Sequence, residues 1–208
     1  MSLPHPARRT LLLGAAGIAL PWIAAPARRA AALDCDARER DYFSNRVLTN
    51  QEGQALRFYE DVLRGRLVLL GWIFTACPDA CPLLAARALA IAEAAGTAGA
   101  APRIVHLTTD PHRDRPERLK AWAARFGHYP DWQLLTGAPA DLREVARRLG
   151  QAVEEARPDR HTTLLLAGNV AARRWAKLRP DLAPEAAAAQ LAELAAAPPL
   201  VEAAGCPA

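Results

Sequence analysis

The run Leu67-Val-Leu-Leu-Gly-Trp-Ile-Phe74 constrains the fold more than any other part of this 208-residue chain. It carries no charge and has the length of a strand. Both of its faces therefore expect apolar neighbours, as in a parallel sheet covered on two sides. It leads directly into Thr75-Ala-Cys-Pro-Asp-Ala-Cys-Pro82. From there the pattern predicts a helix from about residue 80 to Ala95, stopped by Gly96, with Pro82 tolerated in the first turn. The alternation repeats downstream. Arg103 to Thr109 reads as a strand, 110–116 as a loop, and Glu117 to Phe126 as a helix opened by Pro116 and closed by Gly127. Trp132 to Leu135 reads as a strand, and Ala140 to Leu149 as a helix closed by Gly150. Thr162–Ala167 and Val170–Lys177 read as a hairpin turning at Gly168-Asn169, followed by a helix from about Pro184 to Ala196. Upstream, residues 33–44 read as loop, and Arg46–Thr49 with Ala55–Phe58 as a short hairpin turning at Gly53. Strands alternating with helices imply an α/β sandwich around a central sheet.

The first 32 residues stand apart. Arg8-Arg9 precede a short apolar stretch, Leu11 to Ala25, and the segment ends in Ala30-Ala31-Ala32. A basic start, an apolar middle and small residues at the end are the pattern of an export signal. The paired arginines resemble a twin-arginine signal. The alternative is an uncleaved N-terminal anchor, although Gly14, Gly17 and Pro21 interrupt the stretch. Residues 33–208 are then one domain. Four of the 26 basic residues lie in this leader, which leaves 22 against 22 acidic ones. A neutral domain offers nothing to a nucleic acid or an anionic membrane surface; contact with a membrane would come only through the leader. The expected location is the periplasm, free or anchored to the inner membrane.

Export bears on the four cysteines. Outside the cytoplasm thiol pairs tend to become disulfides unless a reductant or a metal holds them. Cys35 and Cys206, near the two ends, read as a structural bridge; unpaired thiols or a secondary redox pair are the alternatives. Cys77 and Cys81 are spaced to share a helix face at the C-terminal edge of the sheet, where ligands of α/β folds gather. The positive end of a helix lowers a thiol pKa, and thiolate both attacks disulfides and binds soft metals. The spacing alone leaves redox and metal chemistry open.

Phe74-Thr-Ala-Cys-Pro-Asp-Ala-Cys-Pro82, Thr109-Asp-Pro-His-Arg-Asp-Arg-Pro116, Trp132-Gln-Leu-Leu-Thr-Gly137 and His161 together resemble the Sco/SenC family of thioredoxin-like, copper-binding proteins. The likeness runs from about Tyr42 to Leu178. Tyr42-Phe43-Ser-Asn45 and Arg57-Phe-Tyr-Glu-Asp61 resemble one branch of it. The resemblance implies a thioredoxin-like fold and a copper site of Cys77, Cys81 and His161, holding Cu(I), Cu(II) or both. It also implies a role as a metallochaperone for the binuclear copper centre of cytochrome c oxidase, whose copper subunit or another copper or thiol protein would be the partner. Thiolate sulfur and imidazole nitrogen suit copper, and the set falls short of the four ligands of a structural zinc site. The alternative function is a periplasmic thiol–disulfide oxidoreductase, with Cys77 and Cys81 as a catalytic dithiol and no obligatory metal.

The chain departs from the family pattern at Arg115, where Thr is usual, and at His106, where a small residue is usual. His106, His112 and His128 read as surface or loop residues. Trp72, Phe74, Trp122 and Trp132 read as core aromatics. Asp79 reads as an acid suited to a first helical turn, Asp110 as a loop cap, and Arg143, Arg147 and Arg148 as a solvated helix face.

Overall fold

The structure, a computed structural model, describes residues 37–151, 157, 159 and 162–199. Its elements are α1 (37–43), β1 (Val47–Asn50), β2 (Ala55–Arg57), β3 (Leu67–Ile73) and α2 (Ala80–Thr97), then β4 (Arg103–Thr108), α3 (Pro116–Ala123) and β5 (Trp132–Thr136). α4 (Pro139–Arg148), β6 (Leu165–Asn169), β7 (Arg174–Leu178) and α5 (Pro184–Ala196) complete the described chain. The strands form one seven-stranded mixed sheet in the order β2-β1-β5-β4-β3-β6-β7. β3, β4 and β5 are parallel, whereas β1, β6 and β7 join antiparallel.

The apolar run therefore becomes β3, central in the sheet and buried almost throughout. Alternate residues feed two cores, as the period of a strand demands. Leu69, Ile73, Ile104 and Leu134 pack beneath α2, α3 and α5. Val68, Leu70, Trp72, Val105, Leu107 and Leu135 face α4, Phe43 and a wide helical turn over Phe58–Leu63. Alanines let the helices on the first face approach closely: Ala85, Ala88, Ala92 and Ala95 of α2 are buried in the same cluster as Ala187, Ala188 and Leu191 of α5. That burial marks α2, although long and apolar enough to cross a membrane, as a core helix here.

Three boundaries differ from the sequence reading. Residues 37–43 are helical rather than loop, because Phe43 stacks on Tyr59 at 6.3 Å and packs against Trp175 at 5.5 Å, which ties the segment down. α2 continues through Gly96 to Thr97; the left-handed break falls at Gly99, φ 74°. The β6–β7 turn lies at 170–173, with Arg173 at φ 52°, not at Gly168-Asn169. Gly168 is a strand residue opposite Trp175, whose ring would stand 2.5 Å from any Cβ there. The β1–β2 turn does place Gly53 at φ 77°, and α5 has the expected bounds.

Candidate metal centre

β3 ends at Ile73, and the chain then makes a tight turn in which the Cys77 N–H donates to the Phe74 carbonyl at 3.1 Å. Pro78 disfavours helical geometry at the residue before it, so Cys77 stays outside α2. Cys81 lies in the first turn of that helix. The two cysteines do meet, but not as i and i+4 on one helix: the Cys81 backbone N–H donates to the Cys77 sulfur at 3.3 Å. Cys77 caps the start of α2 with sulfur, a position no other side chain fills, since Asp79 makes no side-chain cap.

The thiols are unalike. Cys77 is half-buried and Cys81 is 1% exposed. Burial by itself would raise the Cys77 pKa. The N–H of Cys81, the Cys81 thiol and the N–H groups of Asp79 and Ala80 outweigh it and hold Cys77 below the ordinary thiol value. Burial pushes the Cys81 thiol up to about 12; the neighbouring Cys77 and the Asp114 carboxylate add to the rise, and a backbone hydrogen bond with Phe74 offsets part of it. Donors aimed at one sulfur stabilise thiolate there, whereas enclosure keeps the other protonated. Both cysteines are unbridged.

Beneath the turn lies a polar knot that motif reading missed. Asp114, 0% exposed, sits in the loop between β4 and α3. Its Oδ2 accepts the Thr75 N–H at 3.0 Å and the Thr108 hydroxyl at 2.6 Å, and its Oδ1 accepts the Thr75 hydroxyl. The Thr75 hydroxyl in turn accepts Arg118 Nε at 2.7 Å. Asp110 holds the loop through its backbone rather than through a side-chain cap: its N–H donates to the Thr108 hydroxyl at 2.9 Å, and its carbonyl accepts the N–H groups of Arg113 and Asp114, while its carboxylate pairs with Arg113. The legible signal is Asp114 itself, an acid within the Thr109–Pro116 motif.

His106 corrects the expectation of a surface histidine. It is 0% exposed on β4, opposite Gly71 of β3 and Leu134 of β5. Its Nδ1 accepts Trp132 Nε1–H at 3.0 Å, so Nε2 carries the proton, and among the described residues Nε2 has no partner. Burial drives its pKa down to about 3. Only Gly71 leaves room for the ring, since a Cβ there would come within 3.0 Å of it. A strand buried on both faces was the available signal. His112 and His128 are exposed as expected. Trp72, Trp122 and Trp132 are core residues and Phe74 packs at the edge of the first core. Arg143 and Arg147 are exposed as expected, whereas Arg148, which like Arg147 pairs with Glu144, is half-buried and donates to the Asp41 carbonyl of α1 at 2.6 Å.

Among the described residues, no three His, Cys, Asp or Glu side chains come together as a metal cage. His161, the leader, Cys35 and Cys206 lie outside the described residues. What the described part contributes is a pair of sulfurs on one turn, one favouring thiolate and partly open. That donor chemistry fits a soft cation such as Cu(I), with two ligand positions supplied.

The sequence model of the SCO1/SenC family matches residues 37–196. An SCO2-like protein of Rickettsia prowazekii is 36% identical over 98 residues, 47% of this chain and 46% of that protein. The chain thus spans about half the length of that relative. A protein of Stutzerimonas stutzeri, named as a candidate copper-binding protein, is 32% identical over 155 residues, 69% of this chain and 70% of its own. Among solved structures, Bradyrhizobium japonicum ScoI with copper bound superposes with TM-score 0.57 at 25% identity, over 71% of this chain and 96% of that one. BsSco, described as having a disulfide switch and as a member of the Sco family of cytochrome c oxidase assembly proteins, shares the fold with TM-score 0.62. Its identity is 20%, over 74% of this chain and 92% of that one.

Proposed function

Because the chain belongs to the SCO1/SenC family, we propose that it is a metallochaperone that carries copper for the binuclear centre of cytochrome c oxidase and binds it through Cys77, Cys81 and His161. Copper is cargo in this reading. The copper subunit of the oxidase is the recipient, and the domain works outside the cytoplasm after export by the N-terminal segment. The observation that carries the reading is the sulfur pair: a Cys77 sulfur 3.3 Å from the Cys81 N–H, held below its ordinary pKa, at the C-terminal edge of the parallel strands. Bound copper would supply Lewis acidity that favours the thiolate form of the buried Cys81, with the proton released to water. The chain's own groups hold Cys77 ready as thiolate and keep Cys81 out of water until then. His161 contributes the nitrogen that converts a dithiol into a copper site.

The test is loading of the reduced protein with Cu(I). His161→Ala loses copper retention and keeps thiol exchange with a disulfide substrate. Unchanged copper retention in that variant, together with loss of exchange in Cys77→Ser, overturns the reading.

The asymmetry of the two thiols favours a second activity at the same site. A partly open low-pKa thiol beside an enclosed high-pKa one is the arrangement of a dithiol oxidoreductase. The Cys77 thiolate attacks a partner disulfide, and one partner sulfur leaves as thiolate and takes a proton from water. Cys81 then closes on Cys77 and breaks the mixed disulfide, and its proton passes to the second partner sulfur, which leaves as thiol. The partner is reduced and the Cys77–Cys81 pair oxidised.

A further inference from the structure

The turn that presents Cys77 leaves the sheet at Ile73, and little of it is secured by the sheet itself. The Thr109 N–H reaches back to the Ile73 carbonyl at 2.9 Å, and this is the last sheet-like bond before the cysteine. Beyond it, both groups of Thr75, the N–H and the hydroxyl, go to one side chain, Asp114. That carboxylate is held in turn by the Thr108 hydroxyl at the end of β4. Arg118 closes the arrangement from α3, donating to the Thr75 hydroxyl with its Nε 4.0 Å from Asp114 Oδ1. The other acids nearby are differently engaged. The Asp110 carboxylate turns to Arg113 at 3.1 Å, and Asp79 is exposed.

We propose that Asp114 is the positioning residue of the dithiol: it pins Thr75 to the end of β4 and thereby holds the Cys77 sulfur at the N–H of Cys81. Asp114 acts through a two-residue lever, because Cys77 follows Thr75 with only Ala76 between them. A buried carboxylate accepting three hydrogen bonds is rigid, and removing any donor or acceptor leaves a costly unpaired group. The consequence is preorganisation. Two sulfurs kept in register have a high effective concentration for each other, and both a chelated soft metal and a closing disulfide profit from that. The inference rests on the dithiol reading of the site and not on copper itself.

The experiment measures ring closure in the full chain equilibrated with reduced and oxidised glutathione. In the reporting step, the Cys81 thiolate attacks the mixed disulfide between Cys77 and glutathione. The S–S bond to glutathione breaks, the Cys77–Cys81 bond forms, and glutathione leaves as thiolate and takes up a proton. Thr75→Val, which removes the hydroxyl, lowers the effective concentration for closure about tenfold, and Thr75→Ser restores it. Asp114→Asn lowers it at least as much. Thr108→Val, which cuts the tie between Asp114 and the end of β4, lowers closure as well. Leu48→Ala, a core truncation on β1 outside the knot, lowers the urea midpoint but leaves closure within about twofold. Closure unchanged in Thr75→Val, or reduced as much in Leu48→Ala as in Thr75→Val, overturns the proposal. If Asp114→Asn does not fold, the Thr75→Val and Thr75→Ser pair decides alone. Retention of Cu(I) against a coloured chelator is followed in the same variants. Failure of the unaltered protein to hold copper sinks the metallochaperone reading while leaving the closure result standing.

Discussion

Two polar assemblies, each built around a fully buried side chain, sit within one β-strand of each other, and they are built on opposite terms. Past the end of β4, Asp114 engages both oxygens with hydrogen-bond donors. In the middle of β4, His106 is kept neutral, with one nitrogen satisfied by Trp132 and the other without a partner among the described residues. A buried polar group whose neighbours satisfy it fixes geometry; a titratable ring without a second partner is tolerated only in its uncharged form. The first assembly lies under the cysteine turn and the second lies in the apolar core. The difference shows how one strand serves both as scaffold and as site support.

The largest effect that would break the comparison is Asp114→Ala. Removing the acceptor strands two hydroxyls and the Thr75 N–H, and it is expected to cost about 3–5 kcal/mol in urea unfolding. A loss under about 1 kcal/mol would mean that water replaces the carboxylate and the knot is not structural.

Acid should act through His106 instead. Its folded pKa of about 3 lies below the ordinary histidine value of about 6.5, so between those limits the unfolded chain binds a proton that the folded chain refuses. Stability from this group is complete above pH 6.5 and falls as pH drops toward 3, by up to about 1.4 kcal/mol per pH unit. The check is the unfolding free energy of the unaltered protein minus that of His106→Leu, followed across the window; a flat difference would show that the ring is protonated or solvated in the fold.

Gly71→Ala sharpens the same point at lower cost. A new methyl would press on the His106 ring and on Leu165, each 3.0 Å away, and about 1–3 kcal/mol is expected, read as a drop in Tm. Arg118→Ala should have the smallest effect, about 0.5–1 kcal/mol, since half of that side chain is in solvent and Asp114 keeps its three hydrogen bonds without it. An effect as large as that of Asp114→Ala would make the arginine, not the threonines, the partner that matters.

Much of this fold was legible from periodicity. The β3 run, the parallel alternation that follows it and the bounds of α5 needed only apolar pattern and Pro or Gly punctuation. Other features depended on tertiary contacts that no local window contains. Residues 37–43 look polar and become a helix because Phe43 finds Tyr59 and Trp175. Gly168 looks like a turn residue and is instead the space an indole ring occupies. His106 looks titratable and exposed, yet its strand is covered on both faces. Of the site, the cysteine pair was legible from spacing and the family pattern. The Asp114 knot was not, because it gathers Thr75, Thr108 and Arg118 from three separate segments.

The connection between β3, β4 and the cysteine turn also sets a time scale. Amides in the middle of a core sheet exchange with solvent only when the whole structure opens, and Thr75 donates its own amide to a group with no solvent access. The sulfur half of the site is therefore anchored to the slowest-opening part of the molecule. It behaves as a stator: visitors that come and go adapt to it.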